Sequence, residues 1–274
     1  MAFGFQPDRS RTPPLRRQMT PRGTIGRFLN TMATTWQLPE ARLRPSVVGT
    51  GVIALAGVVA SAWMLRPALG LGDDYPLKAG GVFAFTMLVA AGAVHGAHPF
   101  DRFGLANQIT TARAAIVALI VGLLFEPAQH TWMTTAAVAG LGVTALDGVD
   151  GWAARRSGMA STFGARFDME VDALLILALS GLAWQTGKAG AWIVLAGLLR
   201  YLFVVGMWTM PWMNRPLPHS QRRRAVCAVQ VAGLSLIMLP MVGPPTSTWF
   251  CAGLLALLSY SFAVDTAWLW RHRG

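Results

Sequence analysis

The chain has 274 residues, of which 54% are hydrophobic and only 13% charged, with a mean hydropathy of +0.46. That composition points to an all-α integral membrane protein and excludes a secreted disulfide scaffold. The net charge of +11 comes with no nucleic-acid motif, so it reports membrane orientation and anionic partners, with no nucleic acid among them. Cys227 and Cys251 each sit inside an apolar segment and read as small buried packing residues.

Residues 1–45 carry eight arginines against Asp8 and Glu40, with several prolines. They are expected to form a basic, mostly disordered cytoplasmic tail, whose arginines either rest on anionic lipid headgroups or stay solvated and serve topology. No apolar run follows closely enough to make a signal peptide. Apolar segments at 46–68 and 78–97 each approach the ~20 residues that cross a bilayer. Together (46–97) they predict an accessory two-helix hairpin around the loop GLGDDYPLK, and neither holds a catalytic residue type. A polar junction, HGAHPFDRFGLANQITTAR, leads into a third span at 108–125. Asn107, Thr110 and Arg113 recur there at one-turn spacings, which helix capping and a positive flank would also explain. His95 and His98 read as interfacial residues, because no third metal ligand follows at helix spacing.

The fourth span, 132–154, and the fifth, 165–186, bracket the stretch that carries chemistry, Asp147 to Asp172. Asp147 and Asp150 are three residues apart and Asp168 and Asp172 four apart, so each pair shares one helix face. A turn near Gly158 would bring the two pairs face to face. Four converging carboxylates repel one another strongly unless cations intervene. One or two divalent ions give the simplest relief, and oxygen ligands suit Mg²⁺ or Mn²⁺. Glu170 falls on the opposite face and is left out of the site. Gly151 lets a ligand approach the backbone, Ala154 lets a neighbouring helix pack close, and Arg155 can grip a phosphate in bidentate fashion. Gly164, one turn before Asp168, again makes room for a substrate or a facing helix.

The sixth span, 189–211, contains Arg200 in its middle. An arginine at that depth is costly unless it meets an anion or a polar cavity, so it is expected to bind phosphate in the active cavity. A basic loop with Arg215, Arg222, Arg223 and Arg224 follows, then spans at 225–242 and 248–270. Asp265 in the last span is expected near the cytoplasmic interface, paired with an arginine. With eight spans and a cytoplasmic N-terminus, 19 of the 23 Lys and Arg residues fall on the cytoplasmic side. The positive-inside rule therefore puts the aspartates and both termini on that face of a bacterial-type inner membrane.

The pattern D-x-x-D-G-x-x-A-R-x8-G-x-x-x-D-x-x-x-D resembles the signature of the CDP-alcohol phosphotransferases. Asp147, Asp150, Gly151, Ala154, Arg155, Gly164, Asp168 and Asp172 fill every specified position. An EF-hand calcium loop fits poorly, because Gly158 stands where an acid is needed and the flanks are apolar. The resemblance implies a six-helix catalytic transmembrane domain (98–274), usually a homodimer. It also implies transfer from a CDP-lipid, CDP-diacylglycerol or a relative, to a small hydroxylated acceptor, with CMP leaving. Two metal ions would be held by Asp147, Asp150, Asp168 and Asp172, with Asp172 also the candidate general base. Gly151, Ala154, Arg155 and Gly164 would serve the CDP diphosphate. Asn107, Thr110 and Arg113 match the N-x-x-T-x-x-R start of the family's first core helix and would likewise serve the CDP diphosphate. In relatives with phosphorylated acceptors, basic residues after the fourth core helix hold the acceptor phosphate. That role falls here to Arg200, Arg222 and Arg223, although the lysine-bearing form of the loop is absent. The competing class is a carrier of divalent cations or small solutes using the acids as an ion path. A carrier would spread its acids toward both faces, whereas five of the twelve acids lie between Asp147 and Asp172.

Overall fold

The computed structural model describes residues 40, 42–94, 98, 100, 102–157, 161–215, 217–218 and 220–273, with the side chains of all of these but 93 and 149–157. The expected N-terminal tail therefore lies almost wholly outside the described residues. Among the described residues the chain is all-helical. Its eight α-helices are α1 (Arg44–Leu69), α2 (Tyr75–Ala93), α3 (Leu105–Gly122), α4 (His130–Ser157), α5 (Thr162–Gln185), α6 (Val194–Thr209), α7 (Gln221–Ile237) and α8 (Thr246–Arg271). Each coincides with one of the apolar segments read from the sequence. Five are long and apolar enough to cross a membrane: α1, α2, α3, α6 with the 3₁₀ turn that leads into it, and α8. The other three depart from that rule for a reason. Helices α4 and α5 carry the polar and charged residues of the site, and the 17-residue α7 opens on three arginines.

Local chemistry sets the boundaries. Pro45 and Pro76 lie in the first turns of α1 and α2, where a missing N–H costs nothing. Gly70, at φ 63°, closes α1 in the left-handed conformation that a residue with a side chain adopts reluctantly. Ser161 caps α5, its hydroxyl accepting the Gly164 N–H at 3.0 Å.

Helix α5 is the centre of the bundle. It packs against α3, α6 and α7, and buries Phe163, Phe167, Val171, Leu175, Leu179 and Leu182. Helices α1 and α2 pack on each other and on α3. The far end of that contact is polar and tightly bonded. The buried Glu126 carboxylate, between α3 and α4, accepts the Gly72 N–H at 2.8 Å and the Lys78 ammonium at 2.7 Å. Tyr75 also donates to the Leu119 carbonyl at 3.1 Å. Past α5, the buried Lys188 ammonium caps the end of α7, donating to the Leu239 and Val242 carbonyls at 2.9 and 2.6 Å. Burial pushes its pKa below the ordinary lysine range.

Helices α5 and α6 meet most closely at Gly197, where an added Cβ would sit 2.4 Å from Leu177 Cα. The obstacle is backbone and cannot rotate away. Gly197→Ala should therefore destabilise the bundle by ~1–3 kcal/mol, as overpacking does. Gly57→Ala on α1, with nothing within 4 Å, is the control and should be neutral or stabilising. Thermal unfolding in detergent distinguishes the two, and equal melting temperatures would remove the steric account.

Candidate active site

The acids come together as the helical spacing requires. Asp147 from α4 and Asp168 and Asp172 from α5 bring one carboxylate oxygen each to within 4.8 Å of one another. Asp168 and Asp172 project from one face of α5 because they are four residues apart. Glu170, between them, points away and pairs with Arg200 on α6.

Three carboxylates this close need positive charge, and α3 supplies it. Arg113 is fully buried, and its Nη1 lies 3.1 Å from Asp147 Oδ1. The same nitrogen pairs with Asp168, while Nη2 pairs with Asp172. A planar, permanently charged fork suits this task, since it serves several oxygens at once without losing its proton. One turn earlier, Asn107 and Thr110 are also buried, donating to the Phe103 and Ala106 carbonyls. Gly164 on α5 faces Asn107 so closely that a Cβ there would lie 2.7 Å from Asn107 Oδ1.

The acids open onto a cavity of about 480 Å³. Asp147, Asp168 and Asp172 form one wall, and Ser220, Arg223, Arg224 and Cys227 from α7 and its approach form part of another. This size falls within the usual range for small-molecule sites. A hollow of about 530 Å³ along His130–Val138 is lined by α4 alone and holds no acid. It is a furrow on one helix and carries no chemistry.

Comparison with known proteins agrees with this geometry. The sequence profile of the CDP-alcohol phosphatidyltransferase family matches residues 103–264. The chain belongs to that family. The chain is also similar to the probable phosphatidylglycerophosphate synthases of Mycobacterium tuberculosis strains CDC 1551 / Oshkosh and H37Rv. Identity is 32% over 143 residues in each case, covering 51% of this chain and 68% of theirs. No solved structure gives a significant match. The chain is thus an enzyme of this family and a distant homologue of phosphatidylglycerophosphate synthase. Its aspartate triad is consistent with a divalent-metal site, because three carboxylate oxygens offer the hard ligands that Mg²⁺ or Mn²⁺ takes.

The remaining site residues divide. Asp150, Gly151, Ala154 and Arg155 lie on the helical backbone of α4, and their side chains are outside those described. Arg223 borders the cavity and also reaches Asp265 on α8, at 3.5 Å, and the Pro218 carbonyl, while Arg222 pairs with the same Asp265 oxygen. Arg200, expected to line the cavity, is not among its lining residues. Its guanidinium faces Glu170, with Nη1 2.8 Å from Met169 Sδ. The physical reason is helical phase, since α6 meets the face of α5 that bears Glu170. Two residues were missed by sequence reasoning. Cys227 lines the cavity, its thiol 3.6 Å from Asp172 Oδ2. Arg224 lines it as well, and its place beside Arg223 at the start of α7 was the only available signal.

Removing Arg113 strips the acids of a buried counter-ion. Breaking a buried pair costs roughly 3–5 kcal/mol, less where the partners keep some water, so about 2–4 kcal/mol is expected for Arg113→Gln. That loss should appear in EDTA and shrink when Mg²⁺ takes over the neutralisation. An equal loss with and without Mg²⁺, by thermal unfolding, would sink the counter-ion role.

Proposed function

We propose that the protein transfers a phosphatidyl group from CDP-diacylglycerol, or a closely related CDP-lipid, to the hydroxyl of a phosphorylated polyol and releases CMP. The convergence of Asp147, Asp168 and Asp172 in one cavity with Arg223 and Arg224 is the observation that carries this reading. A cluster of acids suits bound cations and their diphosphate. A pair of arginines lining another part of the same cavity suits a second, separate phosphate. The name of the mycobacterial relatives favours glycerol phosphate as that acceptor.

In the reaction, an acceptor oxygen forms a bond to the phosphorus that bears the diacylglycerol. The bond between that phosphorus and the bridging oxygen breaks, and CMP departs with the electron pair. Two divalent ions, when bound, supply positive charge for the leaving CMP and for the attacked phosphate. Asp147, Asp150 and Asp168 would hold those ions. Asp172 shares in holding them and takes the acceptor's proton as general base. Arg155 grips the diphosphate, Gly151, Ala154 and Gly164 leave room for the nucleotide, and Asn107 and Thr110 shape the α3 side of the pocket. Arg113 keeps the carboxylates gathered while no substrate is present. Arg223, with Arg224 beside it, holds the acceptor phosphate.

The eight helices span a bacterial-type inner membrane, with the aspartates and both termini cytoplasmic. Helices α3–α8 form the catalytic domain (98–274), and α1–α2 the accessory hairpin. The working unit is a homodimer. The carrier reading loses ground because the acids gather at one place between α4 and α5 rather than along several helices toward both faces.

Purified protein given CDP-diacylglycerol and a panel of acceptors should release CMP fastest with a phosphorylated polyol, scored by product mass. EDTA should stop the release, and Mg²⁺ or Mn²⁺ should restore it. Asp168→Asn and Asp172→Asn should each abolish release with the protein still in the membrane, and wild-type turnover in either refutes the assigned roles. Arg223→Ala should raise the acceptor KM about tenfold or more and leave the CDP-lipid KM near its original value. Arg200→Ala is the comparison, paired as it is with Glu170, and an effect as large and as selective would return Arg200 to the acceptor site.

A further inference from the structure

The polar junction ahead of α3 holds a histidine whose environment is more specific than an interfacial position requires. His98 is 7% exposed and enclosed by three rings: Phe100 and Phe163 edge-on, with centroids at 5.4 and 6.0 Å, and Phe103 at 6.4 Å. Both ring nitrogens are engaged. Nε2 lies 2.8 Å from the Arg102 carbonyl oxygen and Nδ1 3.0 Å from Ser161 Oγ. A carbonyl can only accept, so Nε2 carries the proton and donates. In the neutral ring Nδ1 then accepts, and the Ser161 hydroxyl donates to it.

That hydroxyl is also the cap of α5, accepting the Gly164 N–H. The bonds therefore run in one direction, from Gly164 N–H to Ser161, from Ser161 to His98, and from His98 to the Arg102 carbonyl. A cap hydroxyl free to rotate would fix the start of a helix only loosely. Here its proton is committed to a buried ring on another segment. The same turn of α5 is tied twice more, by the close approach of Gly164 to Asn107 and by Phe163 against Phe103 at 5.9 Å. Asp168 follows Gly164 by one helical turn and Asp172 by two.

We infer that His98 is a positioning residue for the transfer reaction, latching the first turn of α5 to the segment before α3. The latch fixes Asp168 and Asp172 against Asp147 and Arg113. His98 lies ahead of the stretch matched by the family profile, and its part in the site is a feature of this chain's own packing. The inference rests on the reading that Asp168 and Asp172 serve metal binding and transfer.

Its test uses full-length protein in detergent with two readouts, CMP release and Mn²⁺ binding by electron paramagnetic resonance. Each variant's melting temperature is recorded alongside. His98→Ala and Ser161→Ala should each lower kcat at least tenfold, weaken Mn²⁺ about tenfold, and leave the CDP-lipid KM within twofold. The double variant should be no worse than the poorer single one, because both break one chain of bonds. His98→Asn keeps an acceptor near the Nδ1 position and should recover most of the activity. His98→Gln places its amide near Nε2, loses the bond to Ser161, and should not recover. Wild-type Mn²⁺ binding in His98→Ala overturns the latch. So do additive losses in the double variant, or losses in His98→Asn and His98→Gln that follow melting temperature alone. Unchanged Mn²⁺ binding in Asp168→Asn would instead overturn the metal reading on which the latch depends.

Discussion

One buried guanidinium organises the functional half of this molecule. Arg113, with no solvent exposure, is paired with three carboxylates from two other helices. Without a cation among them, Asp147, Asp168 and Asp172 would have to separate, take up protons, or both. Three helices are thus held in register by charge as well as by packing. Because the ligand set for a divalent ion is already gathered, binding one need not draw the helices together.

The surroundings of this cluster follow from the same constraint. Glycine stands at 164 because the neighbouring Asn107 carbonyl oxygen leaves no room for a Cβ. Helix α5, packed against α3, α6 and α7, carries two of the three acids in the described cluster. The opposite wall is basic through Arg223 and Arg224, while Arg222 is tied back to Asp265. On the proposed reading, positive charge at the cavity is divided between Arg113, which neutralises the acids, and Arg223 and Arg224, which would meet a second anion. A metal-assisted transfer between two phosphate-bearing substrates calls for that division.

The helices themselves were legible in the sequence, because a run of apolar residues near bilayer length has few alternatives to a helix when water is absent. Every expected span found a helix, including the seventh, although its 17 residues begin with Gln221 and three arginines. The signature was equally legible, since spacings of three and four place side chains on one helical face whatever surrounds them. The same rule set Glu170 aside, and its side chain does turn away to Arg200.

What the sequence by itself determined, then, was local and periodic: membrane-length helices, the shared faces of the acid pairs, and a cysteine content suited to an apolar interior. Tertiary structure decided which faces meet. Depth alone made Arg200 look like a cavity residue, but the phase at which α6 packs on α5 turned it toward Glu170. His98 looked interfacial because its partner, Ser161, is distant in sequence, and Cys227 looked inert because nothing near it in sequence names Asp172. Periodicity fixes where a side chain points relative to its own helix, whereas a contact between helices depends on rotation about two axes that no single segment encodes.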